Sequence, residues 1–245
     1  MPKFSVILPA AGRSSRFADK HYKKPFALLD NRAVWMHSAE RFINRDDVIQ
    51  TMLVISPDDR EYFDFKYAGN AAILGIEVVH GGAERSDSVA KALERVKPEA
   101  DFVCIHDAAR PCIANEWIDR VFHAAEQSDA AILAIPVSGT LKHVKDMKIT
   151  ETVSRSGLWE AQTPQVFRRE LLVEAHAKRG TFQSTDDAQL VERLGKPVTI
   201  VPGSPINLKI TTREDLRLAE QALKALPKPK LLGPAHPFAD DDMWR

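Results

Sequence analysis

Long hydrophobic runs are missing from this chain. No uninterrupted apolar stretch approaches the roughly 20 residues of a membrane span, and the N-terminus lacks the apolar core of a secretory signal. The expectation is therefore a cytoplasmic protein with no membrane partner. Cysteine is scarce: Cys104 and Cys112 are the only two, eight positions apart, a spacing that matches no usual zinc or redox pattern and reads as two reduced thiols. Neither sign of charge is in excess. With 34 basic against 34 acidic residues, the balance argues against a surface governed by attraction to nucleic acid, and any phosphate site has to be a local pocket. The phosphate-loop patterns G-x-G-x-x-G and G-x-x-x-x-G-K-[ST] are absent as well.

What the 245 residues do hold, at 44% hydrophobic, is enough apolar material for one large α/β domain. The chain opens on FSVILPAAGRSSRF (4–17), where Val6, Ile7 and Leu8, stopped by Pro9, fit a buried parallel strand and Gly12 permits a tight exit. The loop that follows would lie at the carboxyl edge of a sheet, where open α/β folds bind ligands. Exposed backbone N–H groups beside Arg13 and Arg16 suit a polyphosphate there; a turn with merely solvated arginines fits the same residues. Lys23 or Lys24 comes soon after, ahead of Pro25 and a helix over 33–43.

Further short apolar runs at 51–56, 76–79, 101–106, 130–137 and 198–201 alternate with helical spacing, which makes a parallel sheet the default. The helix after the second run is expected to begin at Pro57 and Asp58 with Ser56 or Asp58 as its cap, and the next to carry Val89, Leu93 and Val96 on its apolar face. Before the latter, Gly81 and Gly82 can let a ligand approach the backbone. Asp107, directly after the run 101–106, is positioned to hold a metal ion or a ribose hydroxyl, and Arg110 to reach an anionic substrate. On local pattern alone, a turn cap at Asp107 and an ordinary ion pair at Arg110 are slightly favoured over these roles.

Residues 138–158 break the pattern. They are polar, with alternating Leu141, Val144, Met147, Ile149 and Val153, and read as a hairpin leaving the main sheet. A two-stranded arm is unstable alone, so a second copy of the chain is the economical partner. Segment 163–167 then leads into a helix at 170–178, a second helix runs from Thr185 and Asp186, which can cap it, to Leu194, and the last spans 212–225 behind a capping box of Thr212 and Asp215. The domain is expected over 1–226. The remainder, 227–245, holds four of the 15 prolines and closes on an acidic run, so it reads as an irregular tail.

Taken together, PAAGRSSRF, KKPFALL, GGAERSDSV, HDAARP, PVSGTLK, SRSGLWEAQTPQVF, TDDAQLVE and NLKITTREDL lie in order over nearly all of 4–222. The series resembles the 2-C-methyl-D-erythritol 4-phosphate cytidylyltransferase family of the non-mevalonate isoprenoid pathway. The resemblance implies a Rossmann-like, GT-A-like nucleotidyltransferase fold with a mostly parallel twisted sheet, helices on both faces and a protruding β-arm. It also implies a homodimer with shared active sites, a requirement for Mg2+, and CTP and a polyol phosphate as substrates with pyrophosphate released. In it Ala10, Ala11 and Gly12 match the loop whose backbone meets the nucleotide, Arg16 and Lys24 match its triphosphate-binding side chains, and Gly82 and Ser88 match positions that recognise cytosine. Asp107, Ala108 and Arg110 fall on the aspartate motif, Thr140, Arg155 and Thr163 match positions that hold the methylerythritol phosphate, and Lys209 matches the second catalytic lysine. Thr140 and Arg155 would reach the neighbouring subunit's site. The chain departs from the family pattern at Ser14, Ala83 and Ile206, and one extra residue before Lys24 leaves Lys23 as a substitute.

A phosphate monoester nucleophile carries about −1.5 to −2 charge at pH 7 and needs no general base, which accords with motifs that offer no evident catalytic histidine; His106 reads as a strand-end residue. The barrier is repulsion between that dianion and the α-phosphate of CTP, and aimed positive charge lowers it. Lys24 and Lys209, with Arg16, are the expected sources, and Asp107 the expected magnesium ligand. Two other readings remain: a cytidylyltransferase for another polyol phosphate such as ribitol 5-phosphate, and a silent nucleotide-binding scaffold.

Overall fold

The computed structural model describes residues 1–12 and 23–227. Ser14, Arg16 and the tail from residue 228 onward lie outside the described residues. The chain opens with β1 (Phe4–Pro9), then a short 3-10 turn at Lys24–Phe26, the two-residue strands β2 (Leu28–Leu29) and β3 (Arg32–Ala33), and α1 (Val34–Ile43). There follow β4 (Val48–Ile55), α2 (Arg60–Ile73), β5 (Glu77–His80), α3 (Arg85–Leu93), β6 (Phe102–Ile105), α4 (Asn115–Ser128) and β7 (Ala130–Pro136). The arm is β8 (Leu141–Lys145) and β9 (Lys148–Val153), after which come β10 (Trp159–Arg168), α5 (Arg169–Ala177), α6 (Ala188–Arg193), β11 (Thr199–Pro202) and α7 (Arg213–Lys224).

The seven-stranded sheet has the order β11-β7-β10-β6-β1-β4-β5. It is parallel except for β10, which runs antiparallel to both β6 and β7. The period-2 alternation of β1 divides the core. Phe4, Val6 and Leu8 pack with Trp35 of α1, Phe63 of α2 and Phe122 of α4 on one face, while Ile7 packs with Val89 of α3, Leu172 of α5 and Val191 of α6 on the other. Helices therefore cover both faces, as expected. α7 seals a third, smaller cluster with Leu29, Val34, Cys112 and Ile210. Both cysteines are free and buried, and burial pushes the Cys112 thiol up to about 12.

Four expectations need correction. Segment 163–167 lies inside β10 instead of merely leading to a helix; Val166 and Phe167 are fully buried between β6 and β7, and the register breaks around 162–164, where the Thr163–Pro164 bond is cis. Pro57–Asp59 forms a 3-10 turn, and α2 proper starts at Arg60; Ser56 makes no side-chain cap bond, and the Asp59 N–H that such a cap would bind donates instead to the Ser56 carbonyl at 2.9 Å. α3 ends at Leu93, so Val96 packs against the core from the following turn. α6 begins at Ala188, three residues later than read, although the Asp186 carboxylate does accept the Gln189 N–H at 3.0 Å.

The capping box of Thr212 and Asp215 is present, with Asp215 N donating to Thr212 Oγ1 at 3.2 Å and Thr212 N donating to Asp215 Oδ2 at 2.8 Å. The arm is a separate two-stranded sheet whose Val144, Met147 and Ile149 are 50%, 94% and 65% exposed.

Candidate active site

Because β1, β4, β5 and β6 are parallel, their carboxyl ends share one edge, and the antiparallel β10 brings Thr163 to the same edge. Ala10 N donates to Val54 O at 2.7 Å, Gly81 N to Ile55 O at 2.8 Å and Ala108 N to Pro9 O at 3.3 Å, which ties the three exit loops together. Ile210 N donates to Ala109 O at 2.8 Å, so the irregular strip before α7 is laid along the loop that follows β6. These constraints enclose a cleft of about 280 Å³. Pro9, Ala10 and Gly12 form one wall, and Lys24, Arg85, Asp107 and Lys209 supply its charge.

The two candidate lysines lie in different places. Lys23 Nζ lies 2.7 Å from Asp59 at the start of α2, whereas Lys24 lines the cleft. Its position is set by Pro25 and Phe26, both buried, the latter stacked on Tyr67 with ring centroids 5.8 Å apart.

Asp107 is the electrostatic centre. Its carboxylate contacts Lys209 Nζ at 2.8 Å, Arg85 Nε at 3.5 Å and Arg110 Nε at 3.6 Å. Burial alone would push its pKa up, yet Lys209, Arg85 and Arg110 together hold it well below the usual carboxylate range. Arg110 is itself buried, donating to Asn207 O at 2.7 Å, so it braces the 207–210 strip against the β6 loop and does not line the cleft.

Thr163 Oγ1 accepts the Asp107 N–H at 3.0 Å. His106 is fully buried, with Nε2 3.0 Å from Arg110 O and Nδ1 3.2 Å from Thr163 Oγ1. A carbonyl only accepts, so Nε2 carries the proton and Nδ1 receives the Thr163 hydroxyl. Burial lowers its pKa to about 4. The ring is neutral and structural, as its place at a strand end suggested.

Gly81 and Gly82 are needed for the chain's own packing. A Cβ on Gly81 would lie 2.6 Å from Ser88 Oγ and 2.8 Å from Ala11 Cβ, and one on Gly82 would lie 2.4 Å from Asp87 Cβ. Ser88 Oγ accepts the Gly82 N–H at 3.1 Å and donates to Glu84 O at 3.0 Å, which fixes the loop ahead of α3. Ala108 is fully buried, and its carbonyl accepts the Ser38 hydroxyl at 3.0 Å. Thr140 and Arg155 sit exposed at the base of the arm, Arg155 against the Ser138 carbonyl, and neither lines the cleft of its own chain.

The sequence reading passes over Arg85. It is the first residue of α3, the element that follows a strand and a Gly-Gly turn, and that placement is the signal that could have found it. No group of three His, Cys, Asp or Glu side chains able to hold a metal exists among the described residues. Asp107 is the carboxylate lining the cleft, and a magnesium ion that arrives on a triphosphate needs only one or two protein carboxylates, so this residue fits that role.

Comparison with known proteins agrees with the geometry. A family model described as 2-C-methyl-D-erythritol 4-phosphate cytidylyltransferase (IspD) matches residues 4–225. A protein of that name from Rhodopirellula baltica is 45% identical over 230 residues, covering 89% of this chain and 94% of its own. Another from Bacillus cereus is 40% identical over 228 residues, covering 92% and 100%. The crystal structure of 2-C-methyl-D-erythritol 4-phosphate cytidylyltransferase from Thermus thermophilus superposes with a TM-score of 0.74 at 34% identity, covering 91% of this chain and 99% of that one.

Proposed function

The chain belongs to the 2-C-methyl-D-erythritol 4-phosphate cytidylyltransferase family, and from that premise we propose that it transfers CMP from CTP to 2-C-methyl-D-erythritol 4-phosphate, in isoprenoid precursor biosynthesis. The observation that carries the reading is the convergence of Lys24 and Lys209 on one cleft beside the backbone of Ala10 and Gly12.

In the reaction an oxygen of the phosphate monoester attacks the α-phosphorus of CTP. A new P–O bond forms, the bond from the α-phosphorus to the bridging oxygen breaks, and pyrophosphate leaves with the electron pair. No proton has to be abstracted. Lys24 and Lys209 offset the charge that accumulates as two anions approach, a task for fixed cations in a partly enclosed cleft. Asp107 holds Lys209 in place before substrate arrives. Mg2+ bound with the nucleotide, with Asp107 as its protein ligand, would neutralise the leaving pyrophosphate.

The exposed apolar residues of the arm support a homodimer, since an amphipathic hairpin is marginal alone. In that dimer Thr140 and Arg155 would serve the partner's cleft. No helix among the described residues is long and apolar enough to cross a membrane. The two free, buried thiols accord with a reducing compartment, the cytoplasm.

The test is pyrophosphate release from CTP against a panel of polyol phosphates. Turnover with 2-C-methyl-D-erythritol 4-phosphate at a kcat/KM well above that for ribitol 5-phosphate is expected. A reversed preference would reassign the acceptor, and no release with any member would remove the enzymatic reading.

A further inference from the structure

Behind Asp107 lies a chain of contacts that the transfer chemistry does not use. Arg85 places Nε 3.5 Å from Asp107 Oδ1 and Nη1 2.6 Å from Asp187 Oδ2. Asp187 is completely buried at the head of α6. Its other oxygen lies 3.2 Å from His176 Nε2 on α5, and its backbone N–H donates to Gln165 Oε1 at 3.1 Å. The Gln165 amide in turn donates to Asp186 Oδ2 at 2.8 Å.

A buried carboxylate is costly to desolvate and is kept where it is fully engaged. Asp187 meets that condition with Arg85 on α3 and His176 on α5, while Gln165 of β10 fixes its backbone. What it grips is a guanidinium, whose planar fork can serve two carboxylates at once in fixed geometry. Asp107 Oδ1 faces that fork and Oδ2 faces Lys209.

We propose that Arg85, anchored by Asp187, is a positioning residue that fixes the Asp107 carboxylate and through it the Lys209 ammonium in the cleft. The inference rests on the reading of this cleft as the cytidylyl-transfer site. Its logic is that the ammonium must be held where charge develops, and a displacement of about 1 Å at such a group costs on the order of 10²-fold in rate. Asp187 touches no substrate in this scheme; it acts through Arg85.

The experiment compares the full-length wild type with Asp187→Asn, Arg85→Gln, Arg85→Lys and the double variant Asp187→Asn/Arg85→Gln. Pyrophosphate release gives kcat and KM, CTP binding is measured by calorimetry without the second substrate, and thermal melts report folding. Asp187→Asn is expected to lower kcat by about 10- to 100-fold while CTP affinity changes by less than about threefold. Arg85→Lys keeps the charge but cannot span both carboxylates, so it should fall with Asp187→Asn. The double variant should be no worse than the poorer single one, as for two residues acting through one contact.

Normal kcat in Arg85→Lys, or additive losses in the double variant, would overturn the proposal. So would a lowered melting temperature with unchanged kcat, which marks a packing role, or a CTP affinity that falls in step with kcat/KM, which marks direct binding. Should Asp187→Asn not fold, Arg85→Lys alone decides by the same criteria. An inactive wild type would fail the transfer reading and this inference with it, whereas failure of the inference alone appears only in the variants.

Discussion

At the scale of single residues, the cleft separates groups that act on charge from groups that hold them. Lys24→Ala and Lys209→Ala should each lower kcat by about 10²- to 10³-fold, the usual effect of removing one aimed electrostatic group, with melting temperatures close to wild type. Steady-state kinetics beside thermal melts checks this, and near-normal turnover in both would remove them from the chemistry. His106 gives a pH prediction of defined sign. Its folded pKa of about 4 lies below the ordinary histidine value of 6.5, so the unfolded chain takes up the proton first as pH falls. The stability due to the neutral ring is complete above about pH 6.5 and is lost as pH drops toward 4, amounting to about 3 kcal/mol. Asp107, with its depressed pKa, acts in the same direction at lower pH. The urea midpoint should therefore fall further between pH 7 and pH 4 in wild type than in His106→Gln; equal falls would refute the assignment.

At the scale of elements, the arm carries its own test. Met147 and Ile149 are so exposed in one subunit that Met147→Asp with Ile149→Asp should leave the monomer's stability within about 0.5 kcal/mol and yet halve the mass measured by light scattering. An unchanged mass would take the arm out of the interface. The arm was legible because its alternation is plain and its flanks are polar. The alternating strands and helices of the first half were equally legible, since buried parallel strands read as short apolar runs between amphipathic helices. β10 was not, because Pro164 and the glutamines 162 and 165 resemble a loop until their buried partners are known; Gln165 is tolerated in the interior only through Asp186 and Asp187. The same limit hid Arg85. Its place after the Gly-Gly turn is the one local signal, and its significance comes from carboxylates 22 and 102 positions away. Asp107 was legible from its place at a strand end and Lys209 from the family resemblance, but their contact is a tertiary fact.

At the scale of the whole molecule, the proposed sharing of clefts between two subunits predicts complementation. A co-expressed heterodimer of Arg155→Ala and Lys24→Ala chains should carry one doubly defective site and one intact site, and so regain about half of the wild-type turnover per dimer. A purified heterodimer without activity would mean that Arg155 serves its own subunit or none. The sheet order has one more consequence, for the sequence of events during synthesis. Among the described residues, β7 and β11 join the remaining strands only through β10, which leaves the ribosome after both of its neighbours. A nascent chain stalled before residue 159 thus leaves β6 with one unpaired edge and β7, whose other neighbour β11 is also still to come, with two, the kind of surface on which chaperones act and aggregates nucleate. The arm is the connection through which the chain doubles back from β7 into the antiparallel β10, and Lys209 is synthesised only after the strand that fills the gap between β6 and β7.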